Sequence, residues 1–117
     1  MTADAFGVLT KIPQNVLVLE NQDAQLNCST DGAAGNSLEW THDHDRIVLS
    51  RCQSMVPKLF VVSSPDPITD CDIKALASST GEDISGAYVC SDRIDRAAAM
   101  VIVLGSILIG FLCASPN

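Results

Sequence analysis

Apolar and polar residues alternate in short runs along most of this chain, and clusters of polar residues separate the runs. Alternation with a period of two is typical of a strand with one buried face, whereas no stretch keeps the 3.6-residue period of a helix for long. The pattern therefore predicts an all-β fold. The predicted strands are 15–19, 24–28, 38–40, 47–49, 58–62, 71–75 and 86–90.

The polar clusters between these runs contain residues that favour tight turns. In the segment 20–23 we expect Asn21 to adopt a positive φ, which asparagine does at little cost. The residues of 31–36 are small or polar, as a chain reversal requires. No internal repeat or low-complexity linker interrupts the pattern, and 117 residues suffice for one core, so we expect a single domain.

Charge and composition exclude several classes of function. With 14 acidic against 7 basic residues the net charge is −7, and only 4% of the residues are aromatic. A phosphate backbone would be repelled and bases would find no stacking platform, so nucleic acid is not an expected partner. The chain has no Gly-x-Ser-x-Gly motif and both histidines lie in one turn, so we expect neither an enzyme nor a bound cofactor.

Five cysteines in so short a chain indicate an oxidising compartment, because no Cys-x-x-Cys pair or zinc-like spacing is present. The segment 1–13 has no basic start followed by an apolar run, so no signal peptide is encoded there. We therefore expect a mature fragment or the product of an incomplete gene model.

Three features then converge: Cys28 on an early strand, Trp40 after it, and Cys90 with Tyr88 two positions upstream. The two cysteines can bridge facing sheets while the indole packs over the sulfur atoms. With the segments AQLNC (24–28), SLEW (37–40), GEDISGAYVC (81–90) and RAAAMVIVLG (96–105), the chain resembles the immunoglobulin superfamily, in its variable or intermediate form.

The resemblance implies a two-sheet β-sandwich with Greek-key topology. It implies a Cys28–Cys90 disulfide, a core that includes Leu26 and Trp40, and a Tyr88 hydroxyl bonded to backbone in the preceding corner. The chain departs from the family where Ile84 replaces the usual aspartate and Asp83 stands one place earlier. Lys58 resembles the basic residue that pairs with that aspartate in the family, so a Lys58–Asp83 salt bridge depends on how this longer corner is arranged.

Cys52 and Cys71 each lie beside a predicted strand, and a disulfide between them would close a loop of about 20 residues and stabilise the fold by roughly 3 kcal/mol. We favour this second disulfide, and the alternative is a pair of free or intermolecular thiols. It would hold a proline-rich region that is otherwise loosely constrained.

The stretch 97–114 contains no charged residue and allows three interpretations. Its 18 residues reach the short limit of a membrane-spanning helix, and a lipid-anchor signal has similar composition. A sandwich needs a closing strand after Cys90, which only this stretch can supply, so we favour a strand over 97–104. The predicted organisation is a disordered or tag-like segment 1–9, an immunoglobulin-like domain 10–105 and an apolar tail 106–117, whose membrane attachment stays open.

The resemblance implies an extracellular recognition module of a cell-surface receptor or adhesion protein. Such a module would bind a protein ligand or itself through the face of the family's C, C′, F and G strands, or through end loops. The alternatives are a secreted immune or pattern-recognition module and a structural spacer. The candidate contacts lie in two polar turns, which can also be ordinary surface turns: His42, Asp43, His44 and Asp45 in the first, and Asp92, Arg93, Ile94 and Asp95 in the second.

Two short motifs remain, a cluster of possible metal ligands and a glycosylation sequon. The first turn holds two imidazoles and two carboxylates, which could bind a metal weakly, but the spacing suits a solvated turn and we expect no metal site. Asn27-Cys28-Ser29 is formally a glycosylation sequon. Its middle residue is the proposed bridging cysteine, so we expect poor access for glycosylation.

Overall fold

The computed structural model describes residues 8–33, 35–49, 51–62, 66–77 and 81–105. These residues form strands and turns and no helix, which confirms the all-β prediction. The strands are β1 (Leu9–Lys11), β2 (Val16–Leu19), β3 (Ala24–Leu26), β4 (Ser29–Thr30), β5 (Glu39–His42), β6 (Asp45–Arg46), β7 (Val48–Leu49), β8 (Gln53–Ser54), β9 (Leu59–Val61), β10 (Ile73–Ala75), β11 (Gly86–Ser91) and β12 (Arg96–Leu104).

The larger sheet has the strand order β2-β12-β11-β5-β6. Strand β2 runs parallel to β12, and the other neighbours are antiparallel. The apolar stretch after Cys90 thus enters the sheet as its longest described strand, β12, which confirms the strand interpretation of 97–104. Among the described residues, no helix has the length and apolar character needed to cross a membrane. The tail 106–117 lies outside the described residues, as does most of the segment 1–9.

The facing layer contains the sheet β3-β10-β9 and the pair β1-β4. The chain passes from β1, which pairs with β4, to β2, which pairs with β12, so the N-terminal strands contribute to both layers. It then alternates between layers through β3, β5, β10 and β11, which produces the Greek-key order expected for the sandwich. Strands β7 and β8 form a separate hairpin.

The core lies between the two layers and follows the predicted alternation. Residues at every second position of four strand segments are buried, because their side chains share the inward face. The positions that share this inward face are Ala24, Leu26 and Cys28; Leu38 and Trp40; Cys71, Ile73 and Ala75; Tyr88 and Cys90. Full burial of each large side chain among them contributes on the order of 2 kcal/mol.

Both expected cysteine pairs are disulfides in the structure, Cys28 with Cys90 and Cys52 with Cys71. The backbone of Cys71 connects them. Its N–H donates to the carbonyl of Cys28 at 2.9 Å, and its carbonyl accepts the indole N–H of Trp40 at 2.9 Å. The second disulfide therefore fixes the segment whose carbonyl accepts the hydrogen bond from the buried Trp40 indole.

Two local expectations also hold. Asn21 has a φ of 70°, as its turn position predicts. The Tyr88 hydroxyl donates to the carbonyl of Ile84 at 2.7 Å in the corner before β11, and burial is the main reason why the pKa of this hydroxyl is raised. Lys58 and Asp83, both described, form no ion pair: the Lys58 ammonium donates instead to the Nδ1 atom of His42 at 3.0 Å.

Candidate functional site

The side of the larger sheet that points away from the core is open to solvent, and we call it the outer face. Alternation along β2, β5, β11 and β12 places every second side chain there. The residues of this face are Leu17 and Leu19 on β2, Glu39 and Thr41 on β5, Ala87, Val89 and Ser91 on β11, and Arg96, Ala98, Met100 and Ile102 on β12.

One end of the outer face carries four large exposed aliphatic side chains, which we call the apolar patch. Leu17 is 64% exposed, Leu19 44%, Met100 44% and Ile102 46%. The parallel register pairs Ile102 with Leu17, so the side chains of neighbouring strands lie side by side. Contiguous exposed apolar surface of this kind marks interaction sites more often than scattered single residues do.

The middle of the outer face is a groove with a volume of about 440 Å³. Its floor is formed by the short side chains of Thr41, Val89 and Ala98 on three adjacent strands, and His44 and Ser91 also line it. Because these side chains are small, the sheet has a concavity that can admit a side chain of another molecule.

The other end of the face carries three arginines, Arg46, Arg93 and Arg96, two of which contact one carboxylate, and we call these three residues the arginine cluster. The Glu39 Oε2 atom accepts from Arg46 Nη2 at 3.2 Å and lies 3.5 Å from Arg93 Nη2. Arg96 lines the groove beside Glu39 and begins β12. Since β12 runs from Arg96 toward Ile102, the arginine cluster and the apolar patch lie at opposite ends of one face.

The first predicted contact turn joins β5 to β6, and the structure corrects one of its four residues. His42 is buried and was wrongly expected to be solvated: its ring stacks on Tyr88 with centroids 4.2 Å apart. Its Nε2 atom lies 2.7 Å from the carbonyl of Ser85, and because a carbonyl only accepts, Nε2 carries the hydrogen. His44 and Asp45 are exposed, as expected.

Asp43 is exposed but has a structural task in the same turn. Its backbone N–H donates to the carbonyl of Ala87 at 2.9 Å, and its carboxylate accepts the Ala87 N–H at 2.9 Å. The carboxylate sits where Gly86, at a φ of 127°, leaves room: a Cβ atom at residue 86 would lie 2.5 Å from Asp43 Oδ2. This contact fixes the end of β5 against β11.

The second predicted contact turn joins β11 to β12, and Asp92 is the residue that the structure corrects. Asp92 is buried, and its carboxylate is satisfied by three hydrogen bonds. It accepts from Thr30 Oγ1 at 2.8 Å and from the N–H groups of Ile94 and Asp95 at 2.9 and 2.8 Å. Burial raises the pKa of the Asp92 carboxyl, but these hydrogen bonds outweigh burial and hold that pKa below its ordinary value. Arg93 and Ile94 are exposed.

Asp95 is half-buried, and its carboxylate accepts the backbone N–H of Leu9 at 3.1 Å. The two turns also lie far apart on the sheet. Strands β5 and β11 are antiparallel, with Ser91 opposite Glu39 and Tyr88 opposite His42, so the turns occupy opposite ends. The candidate contacts therefore do not form one site, and the outer face is the surface that lies between them.

The remaining weak sites stay as sequence expectations. Within the described ranges, no group of three or more histidine, cysteine, aspartate or glutamate side chains could hold a metal ion. In the sequon, the amide oxygen of Asn27 accepts from Gln25 Nε2 at 3.1 Å, and the buried Ser29 hydroxyl donates to Asp70 at 2.6 Å.

Sequence reasoning missed the apolar patch, although the chain contains a signal for it. Strand β2 reads VLVL, and β12 contains Met100 to Leu104 without a polar residue. A half-buried strand that is apolar at successive positions must expose apolar side chains on its solvent face. Applying that rule to both strands would have found the patch.

No family model and no curated protein sequence matches this chain. Solved structures do match. A mutant form of the titin complex with obscurin-like 1 Ig aligns with a TM-score of 0.63 and 21% identity over 85% of this chain and 93% of that one.

The N-terminal Ig1-2 module of the Drosophila receptor protein tyrosine phosphatase DLAR aligns with a TM-score of 0.62 and 18% identity. The alignment covers 86% of this chain and 50% of that one. Both structures contain immunoglobulin domains, and the two-layer strand arrangement of this chain is the one expected of that fold. The chain is an immunoglobulin-like domain by fold.

Proposed function

We propose that this domain is an extracellular recognition module that binds a protein partner through the outer face. The observation that carries the proposal is the arrangement on one open sheet of the apolar patch, the groove and the arginine cluster. Methionine and arginine are enriched at protein interfaces relative to the rest of the surface, and both occur on this face.

The position of the groove supports the same face. Val89 and Ala98 lie on the two central strands of the sheet, paired in register, so a partner seated there would contact a rigid floor. Hydrogen bonding on both sides of these strands reduces the conformational entropy that binding would cost. The loops at either end could then contribute exposed side chains such as His44 and Ile94 at the rim.

A receptor or adhesion setting is the finer part of the proposal. Two disulfides are compatible with an oxidising, extracellular compartment. One structural neighbour comes from a receptor protein tyrosine phosphatase, and another comes from a protein complex. We infer a binding role rather than an enzymatic one, since the outer face provides a groove, an apolar patch and a cluster of arginines that a protein partner could contact.

A pair of matched variants tests the proposal. Ala98→Arg fills the centre of the outer face, and Gln25→Arg places the same charge on an exposed position of β3 in the opposite layer. Each variant and the wild-type chain would be used to select partners from a displayed library of extracellular protein fragments, followed by affinity measurement.

We expect Ala98→Arg to weaken binding of a selected partner at least tenfold, with Gln25→Arg close to wild type. Equal binding by both variants would show that the outer face is not the recognition surface. Failure to select any partner would instead favour a spacer role.

A further inference from the structure

We propose that the partner of the outer face is a protein segment that presents carboxylate groups beside aliphatic side chains. This inference rests on the proposed function and adds the chemistry of the partner. The carboxylates would bind the arginine cluster, and the aliphatic side chains would enter the groove and cover the apolar patch.

The first step in the argument is the distribution of charge. The chain carries a net charge of −7 and has only seven lysine and arginine residues, yet three of the seven lie in the arginine cluster. On the outer face Arg46 and Arg93 share one carboxylate, that of Glu39. The carboxylates of Asp92 and Asp95 in the adjoining turn instead accept from the Thr30 hydroxyl and the Leu9 N–H. The outer face therefore has more guanidinium groups than carboxylates at this end. In a protein with a net charge of −7, this grouping of guanidinium groups favours the approach of an anionic group at this end of the face.

The second step is the hydrogen-bonding capacity that the cluster leaves unused. Arg46 and Arg93 both bond a single oxygen of Glu39, and their side chains are 50% and 64% exposed. The guanidinium of Arg96 makes no hydrogen bond or ion pair with any residue in the described part of the chain. Each guanidinium has five N–H donors in a planar fork that fits a carboxylate, so several donors remain for a ligand.

The third step concerns the rest of the face, which favours aliphatic groups over further charge. The groove floor of Val89 and Ala98 leads along β12 to Met100 and Ile102, and the adjacent β2 adds Leu17. A segment with only polar and acidic side chains would leave the groove floor and the apolar patch exposed to water. A partner that alternates carboxylates with leucine-like or isoleucine-like side chains would use both ends of the face.

A second copy of this chain fits the outer face poorly. In a two-fold symmetric pair, the arginine cluster of one copy would lie over either the arginine cluster or the apolar patch of the other. The first arrangement brings like charges together, and the second covers aliphatic side chains with guanidinium groups. The charge pattern thus favours a different protein over self-association.

Two cyclic β-hairpin peptides provide the test. One displays two leucines and two glutamates on one face, and the other has lysines in place of the glutamates. Binding to the full ¹⁵N-labelled chain would be followed by amide chemical shifts at millimolar peptide concentrations, at low and at high salt. Arg96→Glu is the informative variant, and Lys74→Glu, on β10 of the opposite layer, is its control with the same change of charge.

We expect the leucine–glutamate hairpin to shift the amides of Val89 and Ala98, with weaker binding at high salt. Arg96→Glu should weaken that binding about tenfold, because an attraction is replaced by a repulsion, and Lys74→Glu should leave it within about twofold. In the Arg96→Glu variant the lysine hairpin should gain affinity.

Equal binding of the two hairpins at these amides would overturn the acidic-partner inference while leaving the outer face as a binding surface. Absence of shifts from either hairpin would also overturn it. The proposed function is judged separately by the Ala98→Arg comparison, so the two failures are distinguishable.

Discussion

Removing the second disulfide should lower the free energy of unfolding by about 3 kcal/mol without changing the fold. The perturbation is the double variant Cys52→Ala/Cys71→Ala. Cys113, which lies outside the described residues, would be replaced by serine in every protein compared so that no free thiol can exchange with the disulfides.

The magnitude follows from the length of the closed loop. Cys52 and Cys71 are separated by 19 positions, for which the chain-entropy model gives about 3 kcal/mol at 25 °C. Cys28 and Cys90 are separated by 62 positions, for which the same model gives about 4 kcal/mol. The hydrogen bond from the Trp40 indole to residue 71 survives the substitution, because the acceptor is a backbone carbonyl.

Trp40 makes the assay direct. It is the only tryptophan in the chain and is fully buried, so its fluorescence reports on the core during urea denaturation. We expect the denaturation midpoint of the double variant to fall and the slope to rise, because the unfolded chain is less compact without the crosslink, while the folded-state emission stays near wild type. A loss below about 1 kcal/mol, or a folded-state emission shifted toward that of exposed tryptophan, would refute the loop-closure reasoning.

Three other perturbations test single contacts. Tyr88→Phe removes the donor to the Ile84 carbonyl and should cost about 1 to 3 kcal/mol, visible as a fall in Tm of several degrees; an unchanged Tm would contradict this. Gly86→Ala should destabilise the domain by about 2 kcal/mol or more in denaturant titrations, because of its φ of 127° and the nearby Asp43 carboxylate, and adding Asp43→Ala should recover part of the loss. The lowered pKa of Asp92 means that its charge stabilises the fold above about pH 4 and that this contribution disappears as the pH falls through the folded-state pKa. Asp92→Asn should therefore lose less stability than wild type between about pH 5 and pH 2, and parallel pH curves would exclude this role.

The sequence predicted the layers of the fold well because period-two alternation marks which side chains face the core. Leu26, Trp40 and Tyr88 are all buried, and both disulfides link residues in or beside predicted strands. The closing strand β12 was harder to predict, since a continuous apolar run fits a strand or a membrane helix equally well. The sheet needs a neighbouring strand beside β11, and this requirement favoured the strand over the membrane helix.

Polar residues were predicted less well, because their role depends on partners that are distant in sequence. Asp92 is buried and accepts a hydrogen bond from Thr30, which lies 62 positions away. His42 is buried as well, where it stacks on Tyr88 and accepts a hydrogen bond from Lys58. Neither partner can be identified from a local pattern. The outer face likewise depends on the register that brings β2 beside β12.

Methionine oxidation in a bound complex tests most directly whether the outer face is the recognition surface. Met100 lies in the apolar patch and is 44% exposed, whereas Met55, beyond β8, is 47% exposed and lies off that face. With a partner selected by the wild-type chain, peptide mapping after mild peroxide treatment should show Met100 protected and Met55 oxidised as fast as in the free protein. Protection of Met55 with unchanged oxidation of Met100 would place the partner elsewhere and contradict the account.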